Sequence, residues 1–407
     1  MPHEALTFQL LAELDAQKEK MVKQLTLWAN INSHSDNLQG LAKMLKVLEK
    51  SFFTLKGFSE RIPLDPRPIL SPLGKIVMQP QGEALHITKR SHAPIQVFLG
   101  GHMDTAYLLS HPFQSVNHVN ENILQGPGVA DMKGGLLIML TALQVLENHP
   151  AAKNIGWEVL INPDEEIGSI GSEWLFRAAA QRNHLGLIFE PAFADGGLVS
   201  SRKGSMNFSV KAEGRAAHAG RDFDKGCNAI LALAEYIIQA SRLNDPDKGI
   251  SINPGYIQGG GPVNIVPELA ICRFNARAIH KVDFEHLQKN LTKLIENKGE
   301  GLTLHYHQES NRKPKIFDPK SAHLFEMINS CAKEQGYTLL HSPSGGVCDG
   351  NILAEEGMPV IDTLGAIGGN LHTADEYIYI DSLVKRSQLV GLFLIKLATG
   401  ALNIKAF

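Results

Sequence analysis

Three short apolar segments of the chain each end next to a residue that can bind a metal ion. The segments are Ile95 to Gly100, Trp157 to Ile161 and Leu185 to Phe189, and each has the length and continuous apolar character of a buried strand. Between the first two, apolar positions recur at helical spacing over Gly134 to Asn148 and stop before Pro150, which predicts a helix. The order strand, helix, strand predicts a parallel sheet.

A fourth apolar segment, Pro359 to Leu364, precedes a glycine-containing loop that leads to His372. Open parallel sheets carry their functional sites just beyond the carboxyl ends of the strands, where side chains from separate strands meet. We therefore expect the C-terminal region to return to the same sheet. This predicts one discontinuous catalytic domain, formed by residues 1–203 and 308–407.

The pattern between residues 204 and 307 differs and predicts a second, inserted domain. Its alternation of strand and helix spacing has the order β-α-β-β-α-β, which is the ferredoxin-like arrangement. The predicted elements are strand Met206 to Glu213, helix Asn228 to Ser241, strand Ile250 to Gln258, strand Glu268 to Ala278, helix Phe284 to Asn297 and strand Leu302 to His307.

Composition and charge are those of a globular enzyme. The 407 residues are 43% hydrophobic and 20% charged, which is enough to bury a core and to form two domains. The net charge of -3 provides no electrostatic attraction to nucleic acid or to an anionic membrane, so we expect neither as a partner. Charged residues such as Glu4, Glu13 and Lys18 interrupt the N-terminal apolar pattern, so we expect no secretory signal or membrane span and a cytoplasmic location. No CxxC pair occurs among the four cysteines, Cys227, Cys272, Cys331 and Cys348.

Two polar motifs lie between the first predicted strand and the helix that follows it. His102 and Asp104 follow the first strand at a spacing that suits a metal-binding histidine whose second nitrogen is held by a carboxylate. Asp131 lies in a glycine-rich turn, Gly126 to Gly135, immediately before the helix. Because Asp131 replaces a glycine that a dinucleotide fingerprint needs, we reject a nucleotide site here.

The second strand ends in three carboxylates, Asp164, Glu165 and Glu166. Their mutual repulsion is costly unless a cation neutralises it or the turn is fully solvated. Glu190 follows the third strand and His372 follows the fourth, so further candidate ligands gather at the same sheet edge. The sequence therefore predicts a metal site there.

Two histidines, one bridging carboxylate and two further carboxylates are the ligands that two zinc ions need. A pair of metals about 3.5–4 Å apart acidifies a shared water and polarises the scissile carbonyl. Such a site also needs one carboxylate that binds no metal and acts as general base. Six suitable groups are present, so the predicted chemistry is two-metal hydrolysis.

Several ordered motifs resemble those of the metallopeptidase family that contains glutamate carboxypeptidase, acetylornithine deacetylase, succinyl-diaminopimelate desuccinylase and aminoacylase. They are GGHMDT, GPGVADMKGG, NPDEEIGS, FEP, GRAAHAG and HTADEY, and they extend over nearly the whole chain. The resemblance implies an α/β fold with a zinc-exopeptidase-like catalytic domain and a mostly parallel central sheet. It also implies an inserted ferredoxin-like α+β domain that serves as a lid and dimerisation domain.

Through these motifs the resemblance also assigns metal ligands. His102 and Glu190 would hold one metal, Glu166 and His372 the other, and Asp131 would bridge them. The implied cofactor is two Zn²⁺ per subunit, and this ligand set also accepts Co²⁺ or Mn²⁺.

The remaining roles are implied in the same way. Glu165 would be the general base, and Asp104 would orient the first histidine. His218 would stabilise the tetrahedral intermediate, usually across a dimer, with Asn264 as a second polar contact. Arg277 would bind the substrate carboxylate, for which a guanidinium fork is geometrically suited.

The chain departs from the family pattern at two positions. Cys348 stands where close relatives often carry a small hydroxyl residue, and Asn275 stands where an acid is frequent near Arg277. The first departure puts a hydrogen bond to the substrate in doubt. The second puts the local support of Arg277 in doubt.

The predicted function is metal-dependent hydrolysis of a peptide or N-acyl amino acid bond next to a free carboxylate, as in glutamate carboxypeptidase. Glu190, where aminopeptidase relatives typically have aspartate, favours the carboxypeptidase and deacylase branch. An acetylornithine deacetylase or succinyl-diaminopimelate desuccinylase is the alternative, followed by an aminoacylase or dipeptidase. A catalytically silent ligand-binding relative and a cysteine hydrolase centred on Cys348 are the alternatives of other classes. The expected partners are a small-molecule substrate and a second copy of the chain.

Overall fold

The computed structural model of the protein describes residues 2–296 and 299–404. The α-helices are α1 (Pro2–Ala12), α2 (Lys18–Ala29), α3 (Leu38–Phe52), α4 (Gly134–Glu147), α5 (Glu173–Ala180), α6 (Ala229–Ser241), α7 (Lys281–Lys293), α8 (Pro319–Glu334), α9 (Gly350–Glu355) and α10 (Ile380–Thr399). The strands are β1 (Phe58–Pro63), β2 (Arg67–Leu70), β3 (Ile76–Gln79), β4 (Glu83–Lys89), β5 (Ile95–His102), β6 (Asn117–Asn120), β7 (Ile123–Gln125), β8 (Ile155–Asn162), β9 (Leu185–Ile188), β10 (Leu198–Arg202), β11 (Gly204–Glu213), β12 (Ala217–His218), β13 (Ser251–Gly259), β14 (Ile265–Val266), β15 (Leu269–Ala278), β16 (Thr303–Arg312), β17 (His341–Ser344), β18 (Val360–Ile361), β19 (Gly368–Gly369) and β20 (Tyr377–Tyr379).

The centre of the molecule is a six-stranded mixed sheet with the order β1-β4-β8-β5-β9-β18. The four neighbours β8, β5, β9 and β18 run parallel, whereas β4 pairs antiparallel with β8 and with β1. The predicted parallel sheet and the return of the C-terminal region to it are confirmed. The four apolar segments identified in the sequence are its four parallel strands, which brings their carboxyl ends to one edge.

Helices cover both faces of this sheet. On one face α2, α3, α4, α8 and α10 share the largest hydrophobic core, and on the other α5 and α9 pack around Phe98 and Phe176. The segment Val129–Glu147, which contains α4, is long and apolar enough to cross a membrane, but 94% of its most apolar window is buried inside the protein. We therefore interpret α4 as the core helix of the sheet.

The inserted unit is a four-stranded antiparallel sheet with the order β13-β15-β11-β16. Helices α6 and α7 pack on it around a separate core that includes Phe208, Phe274 and Phe284. This order is that of a ferredoxin-like fold, as predicted. Helix α7 begins three residues earlier than predicted, and the predicted end at Asn297 lies outside the described residues. Strand β16 extends to Arg312, five residues past its predicted end.

The chain enters and leaves the inserted unit at two adjacent points. Arg202 and Lys315 exchange backbone hydrogen bonds of 2.9 and 3.1 Å there. Both side chains reach the buried carboxylate of Asp362: Arg202 through two hydrogen bonds of 2.9 Å and Lys315 through one of 2.9 Å. The two crossing points are therefore fixed to the end of β18 by one buried ion triad.

A hairpin formed by β2 and β3 provides a third link between the two units. It leaves the catalytic unit and contacts the inserted sheet, where Nη2 of Arg273 donates to the carbonyl of Leu70 at 3.0 Å. The turn between the two strands contains Gly74, whose φ of +72° places it in the left-handed region. A Cβ there would also lie 3.0 Å from Leu269, so glycine allows both the turn and the close approach.

Candidate metal centre

The first ligand lies at the end of β5. His102 is 1% exposed, and its Nδ1 lies 3.0 Å from the backbone carbonyl and 3.3 Å from Oδ1 of Asp104. Asp104 is also buried and accepts hydrogen bonds from the hydroxyl of Ser35 and from the backbone N–H groups of Glu165 and Glu166. The carboxylate predicted to orient His102 therefore also positions the acidic turn after β8.

Asp131 lies in the turn between β7 and α4. Its backbone N–H and that of Ala130 donate to Oε1 of Glu376 at 3.1 and 2.8 Å, and the hydroxyl of Tyr107 donates to Oε2 at 2.6 Å. Glu376 belongs to the same loop as His372, and β7 pairs with β20 directly after this loop. One buried carboxylate therefore holds the loops of two candidate ligands together.

The close approach of α4 to the third ligand depends on Gly135. A Cβ at this position would lie 1.9 Å from the carbonyl oxygen of Phe189, so only glycine fits. The carbonyl of the following residue, Glu190, accepts a hydrogen bond of 2.9 Å from Gly365. The segment that carries Glu190 is thus held between the start of α4 and the loop that leads to His372.

The five predicted ligands meet in two groups that share Asp131. In the first group, Nε2 of His102 lies 3.2 Å from Oδ1 of Asp131 and 3.7 Å from Oε1 of Glu190. In the second, Nε2 of His372 lies 3.3 Å from Oδ2 of Asp131 and 3.2 Å from Oε2 of Glu166. Each oxygen of Asp131 faces a different group, which is the geometry of a bridging carboxylate.

Crowding of carboxylates shifts the pKa values of this cluster. Burial raises the pKa of Glu166 to about 7 and raises that of Glu190 well above its ordinary value, and Asp131 adds to both effects. Hydrogen bonds to Asp131 and Glu166 raise the pKa of His372 to about 11. Burial lowers the pKa of His102, but its hydrogen bonds to Asp104 and Asp131 outweigh burial and raise it overall.

The donor set fits a pair of divalent cations. Each group offers one imidazole nitrogen and two carboxylate oxygens, and the ligand atoms within a group all lie within 4.8 Å of one another. Oε1 of Glu166 is buried and has no hydrogen-bond partner. Nitrogen and oxygen donors in this number suit zinc, and a cation removes both the repulsion and the unsatisfied oxygen.

Glu165 lies beside the second group and pairs with Arg312, the last residue of β16. Nη1 of Arg312 donates to Oε1 of Glu165 at 2.5 Å, while Nη2 donates to Ser169 at 2.5 Å and to Asp349 at 3.0 Å. Arg312 is 5% exposed. The predicted general base is therefore held by a buried arginine that the inserted unit contributes.

A cavity of about 240 Å³ opens next to these residues and carries Arg277 in its wall. Nε of Arg277 donates to Oδ1 of Asn275 at 2.8 Å, and Nη1 donates to the carbonyl of Gly345 at 2.6 Å. Asn275 in turn donates to Ser205 and Asn207. The departure at Asn275 thus leaves Arg277 oriented by neutral acceptors, and its charge stays available for an anionic group.

Two predicted site residues lie elsewhere. His218 and Asn264 are exposed, and they lie together at the small sheet of β12 and β14, where Ala219 donates to the carbonyl of Asn264 at 2.9 Å. Neither lines the cavity that contains Glu165 and Arg277. Within the part of the chain that the structure describes, the fold does not bring them to the metal ligands.

Cys348 is 1% exposed, and burial raises the pKa of its thiol well above the ordinary value. Its sulfur accepts a hydrogen bond from Gly350. A nucleophilic cysteine needs a thiolate and access to substrate. The geometry therefore argues against the cysteine hydrolase.

Several residues that position the site were not predicted from the sequence. Glu376 lies in the HTADEY motif, where its spacing from His372 was visible but gave no role. Tyr107, Ser35 and Arg312 lie far from their partners along the chain, and no local pattern marks them. Their roles follow only from hydrogen bonds across the fold.

The chain is similar to known proteins in sequence and in fold. Residues 98–396 match the model of the family described as peptidase family M20/M25/M40. Carboxypeptidase G2 of Pseudomonas sp. (strain RS-16) is 28% identical over 315 residues, which are 75% of this chain and 74% of that protein. Succinyl-diaminopimelate desuccinylase of Helicobacter pylori (strain Shi470) is 26% identical over 312 residues, 72% of this chain and 79% of the relative. The crystal structure of aminopeptidase PepT from Bacillus cereus shares the fold, with a TM-score of 0.69, 24% identity and coverage of 94% of this chain and 99% of that one.

Proposed function

Because the chain belongs to peptidase family M20/M25/M40 and is a metal-dependent hydrolase of peptide or N-acyl amino acid bonds, we propose that it cleaves an amide next to a free carboxylate with two metal ions. His102 and Glu190 would hold one ion, Glu166 and His372 the other, and Asp131 both. Zinc is the proposed metal.

The observation that carries this proposal is the pair of ligand groups around Asp131, with Glu165 beside them and Arg277 in the wall of the same cavity. Two bound metal ions acidify a shared water and polarise a carbonyl. The chain supplies the other parts, namely a carboxylate for the proton and a guanidinium for the substrate anion.

In the proposed reaction Arg277 binds the substrate carboxylate and thereby sets the position of the scissile amide. Glu165 accepts the proton of the attacking water and returns it to the leaving amine. Asp104 holds His102 in orientation and, through the backbone N–H groups of the acidic turn, also fixes Glu165. Donors aimed at the developing oxyanion would lower the barrier further.

We propose that His218 supplies such a donor from a second copy of the chain. Support comes from its exposure together with Asn264, away from the cavity of its own chain. Apolar residues surround the small β12–β14 sheet and the outer side of α6: Val263 is 100% exposed, Leu231 65% and Ile238 55%. A homodimer through the inserted unit would cover this surface.

Mixing two inactive variants tests the dimer directly. In a dimer of His218→Ala with Glu165→Gln, the site on the first chain keeps its own Glu165 and receives His218 of the partner subunit. We therefore expect activity to return on mixing, up to about half of the wild-type value per dimer. If His218 acts within its own chain, no complete site forms and mixing restores nothing.

The substrate class is tested by measuring release of primary amine from N-acyl-glutamates, N-acetylornithine, N-succinyl-diaminopimelate and simple dipeptides, each with and without chelator. We expect chelator-sensitive cleavage of N-acyl-glutamates, as the resemblance of the motifs to glutamate carboxypeptidase implies. Cleavage of the succinylated substrate alone would support the second candidate, a desuccinylase, which the Helicobacter pylori relative favours. No cleavage of any substrate by protein that holds two metals would refute the proposed chemistry and support the silent ligand-binding relative.

We propose further that the domains are those predicted from the sequence, residues 1–203 and 308–407 for the catalytic domain and 204–307 for the inserted lid and dimerisation domain, except that residues 308–312 belong to the inserted unit because β16 continues to Arg312. Support for the first boundary comes from β11, which begins at Gly204. A cytoplasmic location stays part of the proposal, and cell fractionation with an antibody against the chain tests it.

A further inference from the structure

A second cavity lies between the segment that follows α8, the first half of α10 and the turn that follows Glu190. Its volume is about 510 Å³, within the range of sites that hold small molecules. It shares no lining residue with the cavity around Glu165 and Arg277. We call it the Arg386 cavity, after the α10 residue in its wall.

Arg386 is an unusual buried cation. Its side chain is 2% exposed, and Nη2 donates to the carbonyl of Gly196, but Nε and Nη1 have no hydrogen-bond partner. Within the described residues 2–296 and 299–404, Arg386 forms no ion pair. Burial lowers its pKa to about 10, and only Tyr337 and Asp195 act against that effect. A buried charge without a partner is costly.

Other unsatisfied polar groups lie in the same wall. The hydroxyl of Tyr337 and Nε2 of Gln335 are buried and have no hydrogen-bond partner, like Nε and Nη1 of Arg386. All four atoms can donate a hydrogen bond, and three of them can only donate. The lining also carries Lys385 and one carboxylate, Asp195, which accepts from Gly197 at 2.8 Å. The missing partner is therefore an acceptor with negative charge.

From this geometry we infer that the Arg386 cavity binds a small-molecule oxyanion, a carboxylate or a phosphate, at a site separate from the active site. Arg386 and Lys385 supply the charge, and Tyr337 and Gln335 supply neutral donors. Water alone would satisfy the donors, but it would leave the charge of Arg386 unpaired.

The position of the cavity links it to two ligand loops. Its lining includes Gly196, on the turn after Glu190, and Ile367, on the segment that leads to His372. The two segments join where Ala192 donates to the carbonyl of Ala366 at 3.0 Å. An anion bound there contacts the chain segments that carry one ligand of each metal group.

The test is thermal unfolding and calorimetric titration of the full metal-loaded chain with inorganic phosphate, with succinate and with chloride at equal ionic strength. We expect phosphate or succinate to give saturable stabilisation that chloride does not give, and the preferred anion identifies the ligand class. Arg386→Met should weaken the apparent affinity at least tenfold. Lys396→Met, which removes another cation of α10 outside the cavity, should leave it unchanged.

Arg277→Met separates this cavity from the active site, because it removes the anion-binding group there and should not change the Arg386-dependent response. Tyr337→Phe provides a second variant if Arg386→Met does not fold, and it should weaken binding about two- to tenfold. Equal responses to all three anions, or the same affinity in wild type and in the cavity variants, would overturn the inference and leave a water-filled cavity.

Discussion

Removing the charge of Asp362 should destabilise the protein by several kilocalories per mole. Asp362 is fully buried, and it is the one carboxylate that Arg202 and Lys315 share at the two crossing points. Burial raises its pKa, but the two cations outweigh burial and lower the pKa from 3.8 to about 2. The Asp362→Asn variant keeps the size of the side chain and leaves two buried cations without a counter-ion.

The magnitude follows from the pKa difference. Because each pKa unit corresponds to about 1.4 kcal/mol, the ionised form of Asp362 stabilises the folded state by about 2–3 kcal/mol. Breaking a buried ion pair by removing one partner costs about 3–5 kcal/mol, since the remaining charge is left uncompensated. We therefore expect Asp362→Asn to lower the free energy of unfolding by about 3–5 kcal/mol.

Urea unfolding of the metal-free protein, followed by tryptophan fluorescence, measures this change. The matched control is Asp381→Asn, which breaks a partly exposed ion pair with Lys18 and should cost at most about 1 kcal/mol. A folded-state pKa below the unfolded value means that the stabilisation is present above about pH 4 and is lost as the pH falls towards 2. If Asp362→Asn costs no more than the control, the buried ion triad does not provide this stability.

Four further predictions concern the site. Glu165→Gln should lower turnover about 10²- to 10⁴-fold while metal analysis still finds two ions per chain; near-normal turnover would remove Glu165 as the base. Glu376→Ala should weaken metal affinity about 10- to 100-fold in chelator competition, because the turn that carries Asp131 loses its hydrogen-bond acceptor. The control, Glu376→Gln, should retain most of the affinity. Equal affinities for the wild type and the alanine variant would contradict this. Arg277→Met should lower kcat/KM about 10- to 100-fold for substrates with a free carboxylate but not for their amides; an equal loss for both would exclude carboxylate binding by Arg277. Asn275→Asp, which places a negative charge beside Arg277, should raise KM for the carboxylate substrates, and an unchanged KM would show that the neutral partner is irrelevant.

Much of the central fold could be predicted because the strands that carry ligands are continuous apolar runs. Each is buried on both faces and is too short for a buried helix, so its length favours a strand, and its polar end marks the edge of the sheet. The helix-forming segments of the inserted unit were found for a similar reason, since each buries one face against a sheet. The N-terminal helices and the antiparallel strands β1 and β4 were not predicted. Strand β1 is mostly exposed, so its sequence lacks a strong apolar signal.

The candidate ligand set was predictable for a chemical reason, whereas the residues that position it were not. Acidic side chains as crowded as Glu165 and Glu166 are costly without a cation, and this cost is visible in the sequence alone. Hydrogen bonds such as those of Glu376 with Ala130 depend on which loops the fold brings together. Arg312 shows the same limit, because it reaches Glu165 from a strand of the other unit. The positions of His218 and Asn264 depend further on a second copy of the chain under the proposed function.

The paired crossing at Arg202 and Lys315 has an evolutionary consequence. Since entry and exit are hydrogen-bonded neighbours, the whole segment between them behaves topologically as one long surface loop, and the entropy of closing a loop grows only slowly with its length. The segment also has a hydrophobic core of its own. A shorter linker, or the corresponding segment of a relative, can therefore join the same two points without altering the central sheet. Recombination at this one place can exchange the inserted unit, with the proposed dimer surface and Arg277, while the candidate metal ligands stay unchanged.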